Sequence, residues 1–466
     1  MKIAFHGAAQ TVTGSKHLLT LKDGRSYLFD CGLFQGMGRD TDSMNRDWGF
    51  EPSSVTAVIL SHAHIDHSGL LPKLVKDGFN GRIYCTPATR DLSAILLEDS
   101  AGIQEDETKY ANKRRRLDQK PLVSPLYTLE DAQKAISLFE ARNYGEWTTI
   151  GEGVSVMFTD AGHIIGSAAV HLKVKEAGIE KQVSFSGDIG RYRDMILKSP
   201  ETFPQADFLI LESTYGNSLH DLVHTTPDLL LEWIQRTCIE KGGKLIVPAF
   251  SVGRTQEILF TMNQLELENR LPDIDYYVDS PLSLEATDLI KSYPEYFNNK
   301  IQKILKSDSD PFGFKGLKFI RTVEDSKLLN FSSKPCVIIS ASGMADAGRV
   351  KHHISNNIEN SHNGILMTGY CEPRSLGARL LSGVKEVGIF GVQHEVHAEI
   401  GSIRSMSAHG DFQDISQFLA CQDPKAVAKL FLVHGELNEQ EPFKQRLLKK
   451  GFVDVEIPER HAEFRI

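Results

Sequence analysis

The stretch that decides the fold is Val58-Ile59-Leu60-Ser61-His62-Ala63-His64-Ile65-Asp66-His67, in which an apolar run leads into three histidines and an aspartate. In an extended segment alternate side chains point to the same side, so His62 and His64 can reach one metal ion. Asp66 and His67 follow on a turn and can reach a neighbouring ion. A histidine-rich surface turn without a ligand role is the alternative interpretation, but such a string rarely arises by chance. The stretch therefore predicts a metal site at the end of a strand.

Three further segments carry a histidine or an aspartate at the end of an apolar run: Asp160-Ala161-Gly162-His163, Ser186-Gly187-Asp188 and Leu432-Val433-His434-Gly435. Each is weak evidence alone, because a single buried histidine is more often a core residue and an aspartate beside glycine is more often a turn former. Together with the first stretch they complete a ligand set. Two ions need about eight ligand positions, and Asp188 could bridge them and leave room for a shared hydroxide.

Outward from this stretch, short strand-forming runs alternate with Gly- and Asp-containing turns, which predicts a mixed sheet. The predicted strands of this first block are residues 2–5, 16–20, 26–29, 57–60, 82–84, 154–158, 168–174, 182–185 and 208–211. Polar, helically periodic segments predict helices at residues 92–117 and 130–142. The block has more strand pairing than a doubly wound fold would show.

After Thr214 the pattern changes to repeated strand, loop and helix units. The predicted strands are residues 244–250, 276–278, 336–339 and 364–368, and each passes through a Ser-, Gly- or Pro-containing loop into a helix. This alternation predicts a parallel α/β domain whose loops open on one side of the sheet. The last stretch returns to a strand at residues 430–433 and is expected to rejoin the first block.

Composition restricts the class of protein. The chain has 466 residues with 41% hydrophobic and 24% charged residues, which is typical of a globular protein of two or three domains. No apolar run approaches the roughly 20 residues of a membrane span or the core of a signal peptide, so we expect a cytoplasmic protein without membrane segments. Six scattered cysteines fit free thiols. The net charge of -9 means that a polyanionic partner would need a local positive site.

At this point the sequence resembles the metallo-β-lactamase superfamily, in its β-CASP branch of RNA-processing nucleases, over essentially the whole chain. The motifs that carry the resemblance are Phe29-Asp30-Cys31-Gly32, His62 to His67, His163, Asp188, Leu211-Glu212-Ser213-Thr214-Tyr215-Gly216, Ser407-Ala408-His409-Gly410-Asp411 and Val433-His434-Gly435-Glu436. A histidine at position 409 is similar to the RNA-cleaving members, including the nuclease subunit of the cleavage and polyadenylation specificity factor and its bacterial relatives.

The resemblance implies an αββα sandwich, residues 1–215 and 400–466, interrupted by a parallel α/β (β-CASP) domain at residues 216–399. It implies two zinc ions per chain, one held by His62, His64, His163 and Asp188, and the other by Asp66, His67, Asp188 and His434. The implied activity is hydrolysis of single-stranded RNA to 3′-hydroxyl and 5′-phosphate ends by a two-metal hydroxide mechanism.

The resemblance also assigns catalytic roles to His409, Glu212, Asp66 and Asp30. Asp30 stands where an aspartate is commonly a turn former, and the resemblance instead favours a carboxylate that orients the metal-binding loop. Glu212 would ordinarily be a salt-bridge residue at a strand end. In the resemblance it pairs with His409 and keeps that imidazole protonated, so that His409 acts as the general acid toward the leaving oxygen.

RNA-binding candidates come from loops that enter helices, where backbone N–H groups and the positive helix end favour a phosphate. They are Arg254, Ser340, Ser342, Gly343, Arg349 and Arg374. Ordinary capping or surface charge is the alternative for each of them. Lys113-Arg114-Arg115-Arg116 favours a solvated helix face, although such a cluster could also contact phosphates.

Two other functions remain open from the sequence. One is a metallo-hydrolase of a small ester, thioester or lactam, which the long Ser- and Arg-bearing insertion disfavours. The other is a non-catalytic RNA-processing scaffold, which the intact ligand set disfavours. Endonuclease and 5′ exonuclease activity, a monomer and a homo-oligomer, and iron or manganese in place of zinc are all compatible with the sequence.

Overall fold

The computed structural model describes residues 1–221 and 225–466. The strands, in chain order, are β1 (Lys2–Gly7), β2 (Lys16–Thr20), β3 (Ser26–Phe29), β4 (Val55–Ile59), β5 (Arg82–Cys85), β6 (Phe139–Ala141), β7 (Thr148–Gly151), β8 (Val154–Asp160), β9 (Ala168–Glu176), β10 (Ile179–Phe185), β11 (Phe208–Glu212), β12 (Lys244–Pro248), β13 (Asp275–Val278), β14 (Leu317–Phe319), β15 (Cys336–Ser340), β16 (Gly364–Met367), β17 (Glu386–Ile389), β18 (Val392–Glu395), β19 (Glu399–Ser402), β20 (Lys429–Val433), β21 (Val455–Glu456) and β22 (Glu463–Arg465).

The α-helices, in the same order, are α1 (Thr41–Arg46), α2 (Ile65–Ser68), α3 (Leu71–Lys76), α4 (Pro87–Leu117), α5 (Leu129–Ile136), α6 (Thr226–Ile234), α7 (Arg254–Leu267), α8 (Pro281–Lys291), α9 (Asn299–Ile304), α10 (Val323–Phe331), α11 (Gly348–Asn357), α12 (Leu376–Leu381), α13 (Phe412–Phe418) and α14 (Leu437–Lys449). A π-helical turn at Gln235–Glu240 continues α6. No helix within residues 1–221 and 225–466 is long and apolar enough to cross a membrane.

The chain forms two compact units. The first consists of Met1–Tyr192, Ser199–Leu219 and His409–Ile466, and the second of Arg193–Lys198 and His220–Ala408. The boundaries predicted from the sequence lie after residue 215 and before residue 400. The second boundary lies later in the structure because β19 pairs with β16 and so remains in the sheet of the second unit.

The first unit contains two seven-stranded mixed sheets, in the orders β22-β1-β2-β3-β4-β5-β6 and β21-β20-β11-β10-β9-β8-β7. Alternation along the strands gives each sheet two apolar faces. Tyr27 and Phe29 of β3 enter one core with Val156 and Phe158 of β8, so this core lies between the sheets. Leu28 of β3 lies in a second core that the sheet shares with α3, α4 and α5.

The other outer face is covered in the same way. Leu209 and Leu211 of β11 pack with Ile415 of α13 and with Phe443 and Leu447 of α14. Helices therefore cover both outer faces of a pair of stacked sheets, which confirms the predicted αββα sandwich.

The second unit contains a six-stranded sheet in the order β14-β13-β15-β12-β16-β19, in which every pairing is parallel. Its central strands β12, β15 and β16 are buried on both faces, as in a sheet covered by helices. Ile246 of β12 and Ile338 of β15, for example, pack with Val350 and Ile354 of α11. The predicted parallel α/β domain is confirmed.

The predicted helix at residues 130–142 was wrong in its second half. Helix α5 begins with a capping box between Thr128 and Asp131 and ends at Ile136. Residues 139–141 form β6, which pairs in parallel with β5. Pairing with a neighbouring strand here outweighs the helical periodicity of the sequence.

Candidate metal centre

The predicted ligands lie where strands end at one edge of the sandwich. His62 and His64 follow β4, His163 follows β8, Asp188 follows β10 and His434 follows β20. Strands β10, β11 and β20 run parallel to one another, and β8 has the same direction because two antiparallel pairings separate it from β10. Their carboxyl ends therefore meet, and residues distant in sequence come together there.

The first group of donor atoms belongs to His62, His64, His163 and Asp188, which can all lie within 4.8 Å of one another. The Nδ1 atom of His64 lies 3.1 Å from Nε2 of His62 and 3.2 Å from Nε2 of His163. Asp188 Oδ2 lies 3.5 Å from Nε2 of both His62 and His163. The structure thus brings together all four residues assigned to the first ion.

The second group comprises Asp66, His67 and His434. The Nε2 atoms of His67 and His434 lie 3.1 Å apart, and Asp66 Oδ2 lies 3.4 Å from Nε2 of His434. The other oxygen of Asp188, Oδ1, lies 3.2 Å from Nε2 of His67. The two carboxylate oxygens of Asp188 therefore face different groups, as a bridging ligand requires.

The donor set fits divalent cations. Tetrahedral zinc with bonds of about 2.1 Å has neighbouring ligand atoms about 3.4 Å apart, close to the distances between these imidazole nitrogens. Burial holds the pKa of His62 and of His163 well below the ordinary value, so both rings are neutral and offer lone pairs. Burial would raise the pKa of Asp188, but nearby imidazoles, His434 first, lower it well below the ordinary value.

An unsatisfied carboxylate oxygen also indicates a cation site. Asp188 Oδ1 is buried and, within the described residues, accepts no hydrogen bond of acceptable geometry, although the His67 ring is close. Burial would lower the pKa of His67, but the carboxylates of Asp188, Asp66 and Asp30 raise it well above the ordinary value. A bound cation would replace the proton that this raised pKa keeps on the His67 ring, and it would satisfy the buried Asp188 carboxylate.

Asp30 fixes the loop that carries His62 to His67 through contacts with Ser61 and His67. Its Oδ1 accepts from the Ser61 backbone N–H at 2.7 Å, and its Oδ2 lies 2.6 Å from Nδ1 of His67. This contact leaves Nε2 of His67 directed at the site. The loop is also tightly packed, since a Cβ atom on Gly32 would lie 1.6 Å from the Asp66 carbonyl oxygen. Asp30 therefore orients a ligand and does not itself face the donor groups.

His409 and Glu212 lie beside Asp188. His409 Nδ1 is 3.3 Å from the Glu212 carboxylate and 3.9 Å from Asp188 Oδ2. Burial lowers the pKa of His409, but the charges of Glu212 and Asp188 outweigh it and raise the pKa to about 9. The ring is thus protonated at neutral pH in the metal-free protein. Asp188, Glu212, His409 and His434 also form a third group of possible donors, which the sequence analysis did not predict.

Two residues that support the site were not predicted from the sequence. Thr214 Oγ1 donates to Glu212 at 2.7 Å and lies 3.0 Å from Nδ1 of His434, so it links the two sides of the site. Lys16 is fully buried, and its Nζ donates to the carbonyls of Gly14 and Gly32 at 3.1 and 2.8 Å. Thr214 lies in the motif from Leu211 to Gly216, which could have indicated its importance. No sequence pattern indicates that Lys16 is buried.

The six predicted RNA-binding residues all lie in the second unit, and most are engaged within it. Arg254 is buried and paired with Glu257. The Ser340 hydroxyl is buried and donates to the Asp279 carbonyl at 2.8 Å, and Arg349 Nη1 donates to the Asp279 carboxylate at 2.6 Å.

The other three predicted residues are either more exposed or packed against a neighbouring side chain. Ser342 Oγ accepts a weak hydrogen bond from the Ala347 N–H at 3.4 Å. Gly343 is in close contact with Phe250, since a Cβ atom there would lie 2.6 Å from the Phe250 ring. Arg374 is exposed, and its backbone N–H donates to Glu372 at 2.7 Å. Among the three predicted arginines, Arg374 is the most accessible.

Comparison with protein families gives three matches along the chain. The metallo-beta-lactamase superfamily matches residues 17–236, and the Beta-Casp domain matches residues 255–380. The Zn-dependent metallo-hydrolase RNA specificity domain matches residues 393–458, the stretch that contains His409 and His434.

Comparison with curated proteins gives two relatives of similar length and also longer ones. Ribonuclease TTHA0252 of Thermus thermophilus is 34% identical over 94% of this chain and 93% of its own. The RNase J-like protein of Methanocaldococcus jannaschii is 32% identical over 98% of both chains. Transcription termination factor FttA of Methanosarcina mazei is 29% identical over 94% of this chain and 67% of its own.

Proposed function

Because this chain belongs to the β-CASP branch of the metallo-β-lactamase superfamily of metal-dependent hydrolases, we propose that it hydrolyses phosphodiester bonds of single-stranded RNA. The observation that carries the proposal is the position of Asp188. Its two oxygens face two groups of imidazoles, and the His409 ring lies beside it, with Nδ1 3.9 Å from Asp188 Oδ2. This arrangement suits an in-line displacement at phosphorus, in which charge develops on both the attacking and the leaving oxygen.

We assign the metal as two zinc ions, held by the residues of the two donor groups with Asp188 between them. Such ions would supply the positive charge that lowers the pKa of an attacking water and stabilises the transition state. The mixture of imidazole and carboxylate donors supports this choice. Asp66 and Asp30 have distinct parts in it, because Asp66 is a donor and Asp30 fixes the ring of His67.

His409 acts as the general acid in this proposal. Its proton passes to the departing 3′ oxygen, so the products carry a 3′-hydroxyl and a 5′-phosphate. Glu212 keeps the ring charged and oriented, since the carboxylate lies 3.3 Å from Nδ1 and leaves Nε2 as the atom that donates. Glu212 is itself fixed by the Ile189 N–H at 2.5 Å and by the Thr214 hydroxyl.

RNA is favoured over a small ester, thioester or lactam by the match to an RNA specificity domain and by two relatives named as ribonucleases. Arg374 is our first candidate for phosphate contact because it is exposed. Arg254, Ser340, Ser342, Gly343 and Arg349 would support the loops of the second unit in which they lie, given their buried or internal contacts. We place the protein in the cytoplasm, where single-stranded RNA is abundant and its free thiols stay reduced.

The test is incubation of the metal-replete protein with end-labelled single-stranded RNA and with DNA of the same sequence. We expect RNA to be cut, the activity to disappear with a chelator, and zinc to restore it. Fragment lengths separate internal cleavage from removal of nucleotides from the 5′ end. Hydrolysis of a small ester with no cleavage of RNA would show that the proposal is wrong.

A further inference from the structure

The second half of α4 and the segment that returns from it form an arm, residues 102–125, none of which is buried. The return segment is fixed to the helix by Asn112, whose side-chain amide donates to the Val123 carbonyl at 2.8 Å and accepts from the Val123 N–H at 2.9 Å. A helix of this length with no buried face is marginal in water, because most helical stability comes from packing. A partner that covered the arm would stabilise it.

One face of this helix carries an apolar stripe. Ile103, Tyr110 and Leu117 are 43, 78 and 82% exposed. They are spaced seven residues apart, which is close to two helical turns, so the three side chains lie in one row. The return segment contacts the opposite face, where Asn112 bonds to Val123 and Arg115 Nε donates to the Pro121 carbonyl at 2.5 Å. The stripe is therefore open to solvent.

The charges beside the stripe change sign at Tyr110. Asp106 and Glu107 are exposed between Ile103 and Tyr110. Lys113 and Arg114 are exposed between Tyr110 and Leu117. Along this face the order is therefore apolar, acidic, apolar, basic, apolar. Asp106 and Arg114 lie four residues before and after Tyr110, and Glu107 and Lys113 lie three residues before and after it.

We propose that this face pairs with the same face of a second copy of the chain, with the two helices antiparallel and Tyr110 at the two-fold axis. In that arrangement Ile103 of one copy meets Leu117 of the other, and the two Tyr110 rings meet each other. Asp106 meets Lys113 and Glu107 meets Arg114, because each of these pairs lies on the same side of the apolar stripe. Every contact except the one between the two Tyr110 rings occurs twice, because the interface is isologous.

The charge pattern selects this occupant. A parallel pair would place acidic residues against acidic ones and is disfavoured. An RNA strand would contact the basic half, but it would gain no attraction from the acidic half, where Glu107 lies beside Asp106 and its ion-pair partner Lys109. The paired helices span 15 residues, or about 22 Å, so we expect a reversible dimer with a small interface.

Charge reversal in the full-length protein tests the pairing. Sedimentation velocity should show wild type with twice the 51.9 kDa of one chain at high concentration. K113E/R114E should raise the dissociation constant at least about tenfold, because four attractive contacts become repulsive. D106K/E107K should do the same. The variant with all four substitutions restores opposite charges across the axis and should return to wild-type association.

A cysteine at the axis gives an independent measurement. Y110C should form a disulfide-linked dimer under mild oxidation, whereas I179C, at a position 63% exposed in the first unit, should not. Three results would overturn the proposal. They are a monomeric wild type at all concentrations, a dimer insensitive to both reversals, and a K113E/R114E variant that loses RNA affinity with no change in mass.

Discussion

Asp188 occupies the position in the site where the two donor groups meet. Its oxygens face His62 and His163 on one side and His67 on the other. Asp188→Ala is therefore expected to lose more than half of the bound metal and all measurable turnover. Elemental analysis and the RNA cleavage assay measure these effects. Asp42→Ala, an exposed aspartate of the same unit, serves as the control. Full metal content in Asp188→Ala would contradict the bridging role.

Substitution of His409 distinguishes a role in proton delivery from a role in metal binding. His409→Ala should keep its metal and its RNA affinity while turnover falls by about 10²- to 10⁴-fold, the usual contribution of a general acid. Glu212→Gln should give a smaller loss. Loss of an ion from His409→Ala would instead make the histidine a ligand, in line with the third donor group.

The pH dependence has a definite sign. A general acid must be protonated, so turnover should fall as pH rises through its pKa, which is about 9 without metal. Bound cations repel the imidazolium and shift this fall to lower pH. The descending limb should be absent in His409→Ala.

Lys16 should make stability depend on pH. Burial lowers the pKa of Lys16 to about 7 from 10.5. The unfolded chain therefore binds one more proton than the folded chain between these values, and wild-type stability should rise with pH there by about 1.4 kcal/mol per unit relative to Lys16→Met. Urea titrations at pH 7, 8 and 9 measure the difference. A constant difference would mean that the lysine titrates normally.

The clustering of the candidate ligands could be predicted from sequence, because a strand end followed by His or Asp is a local pattern, as at His62, His163 and Asp188. Thr214 and Lys16 could not, since their importance comes from partners brought by the fold. Lys16, for example, bonds to Gly32, which lies 16 residues later. Arg349 shows the opposite problem, because a loop position that suggests phosphate binding turns out to hold an internal pair with Asp279.

At the scale of elements, β13, α10 and α11 meet at Asp279. This fully buried carboxylate lies 2.5 Å from Ser326 Oγ and 2.6 Å from both His353 Nε2 and Arg349 Nη1. Asp279→Ala removes this carboxylate from the buried His353 ring and from Arg349, whose side chain is only partly buried, and should cost about 3 kcal/mol of unfolding free energy.

The fluorescence of Trp233, which lies in the second unit, can follow the unfolding of this variant in urea. Asp275→Ala on the same strand removes a partly exposed pair with Lys318 and should cost less than about 1 kcal/mol. Equal losses in the two variants would show that the buried cluster does not stabilise the unit.

Most strands could be predicted to within two or three residues, because apolar runs bounded by turns are a strong signal. Short edge elements such as β14 and β22 could not. They have few apolar residues and exist because a neighbouring strand pairs with them, as β1 does with β22 through Ile3 and Phe464.

At the scale of the whole molecule, the net charge of -9 opposes binding of RNA, so local cations must carry the affinity. Arg374→Ala should weaken RNA binding and reduce the salt slope by about one while metal content stays the same. Arg379→Ala, an exposed arginine of the adjoining helix, is the matched control and should leave the slope unchanged. Equal slopes for wild type and Arg374→Ala would remove that arginine from the RNA-binding surface.

The family assignment made from the motifs is confirmed by the matches along the chain. The limits of the units were harder to predict. Residues 400–402 belong to β19, which pairs in parallel with β16, and no local signal marks that pairing. Long-range parallel pairing is decided by the whole sheet and not by the segment itself.

The candidate ligands extend from residue 62 to residue 434, and this separation in sequence affects the order in which they are synthesised. During translation the first donor group is available once Asp188 has emerged, but the second needs His434, which at 5–20 residues per second follows about 12–50 s later. A growing chain thus carries an incomplete centre while it is still attached to its own messenger. For the ribonuclease proposed here, late arrival of the last ligand would delay cutting until His434 has been translated.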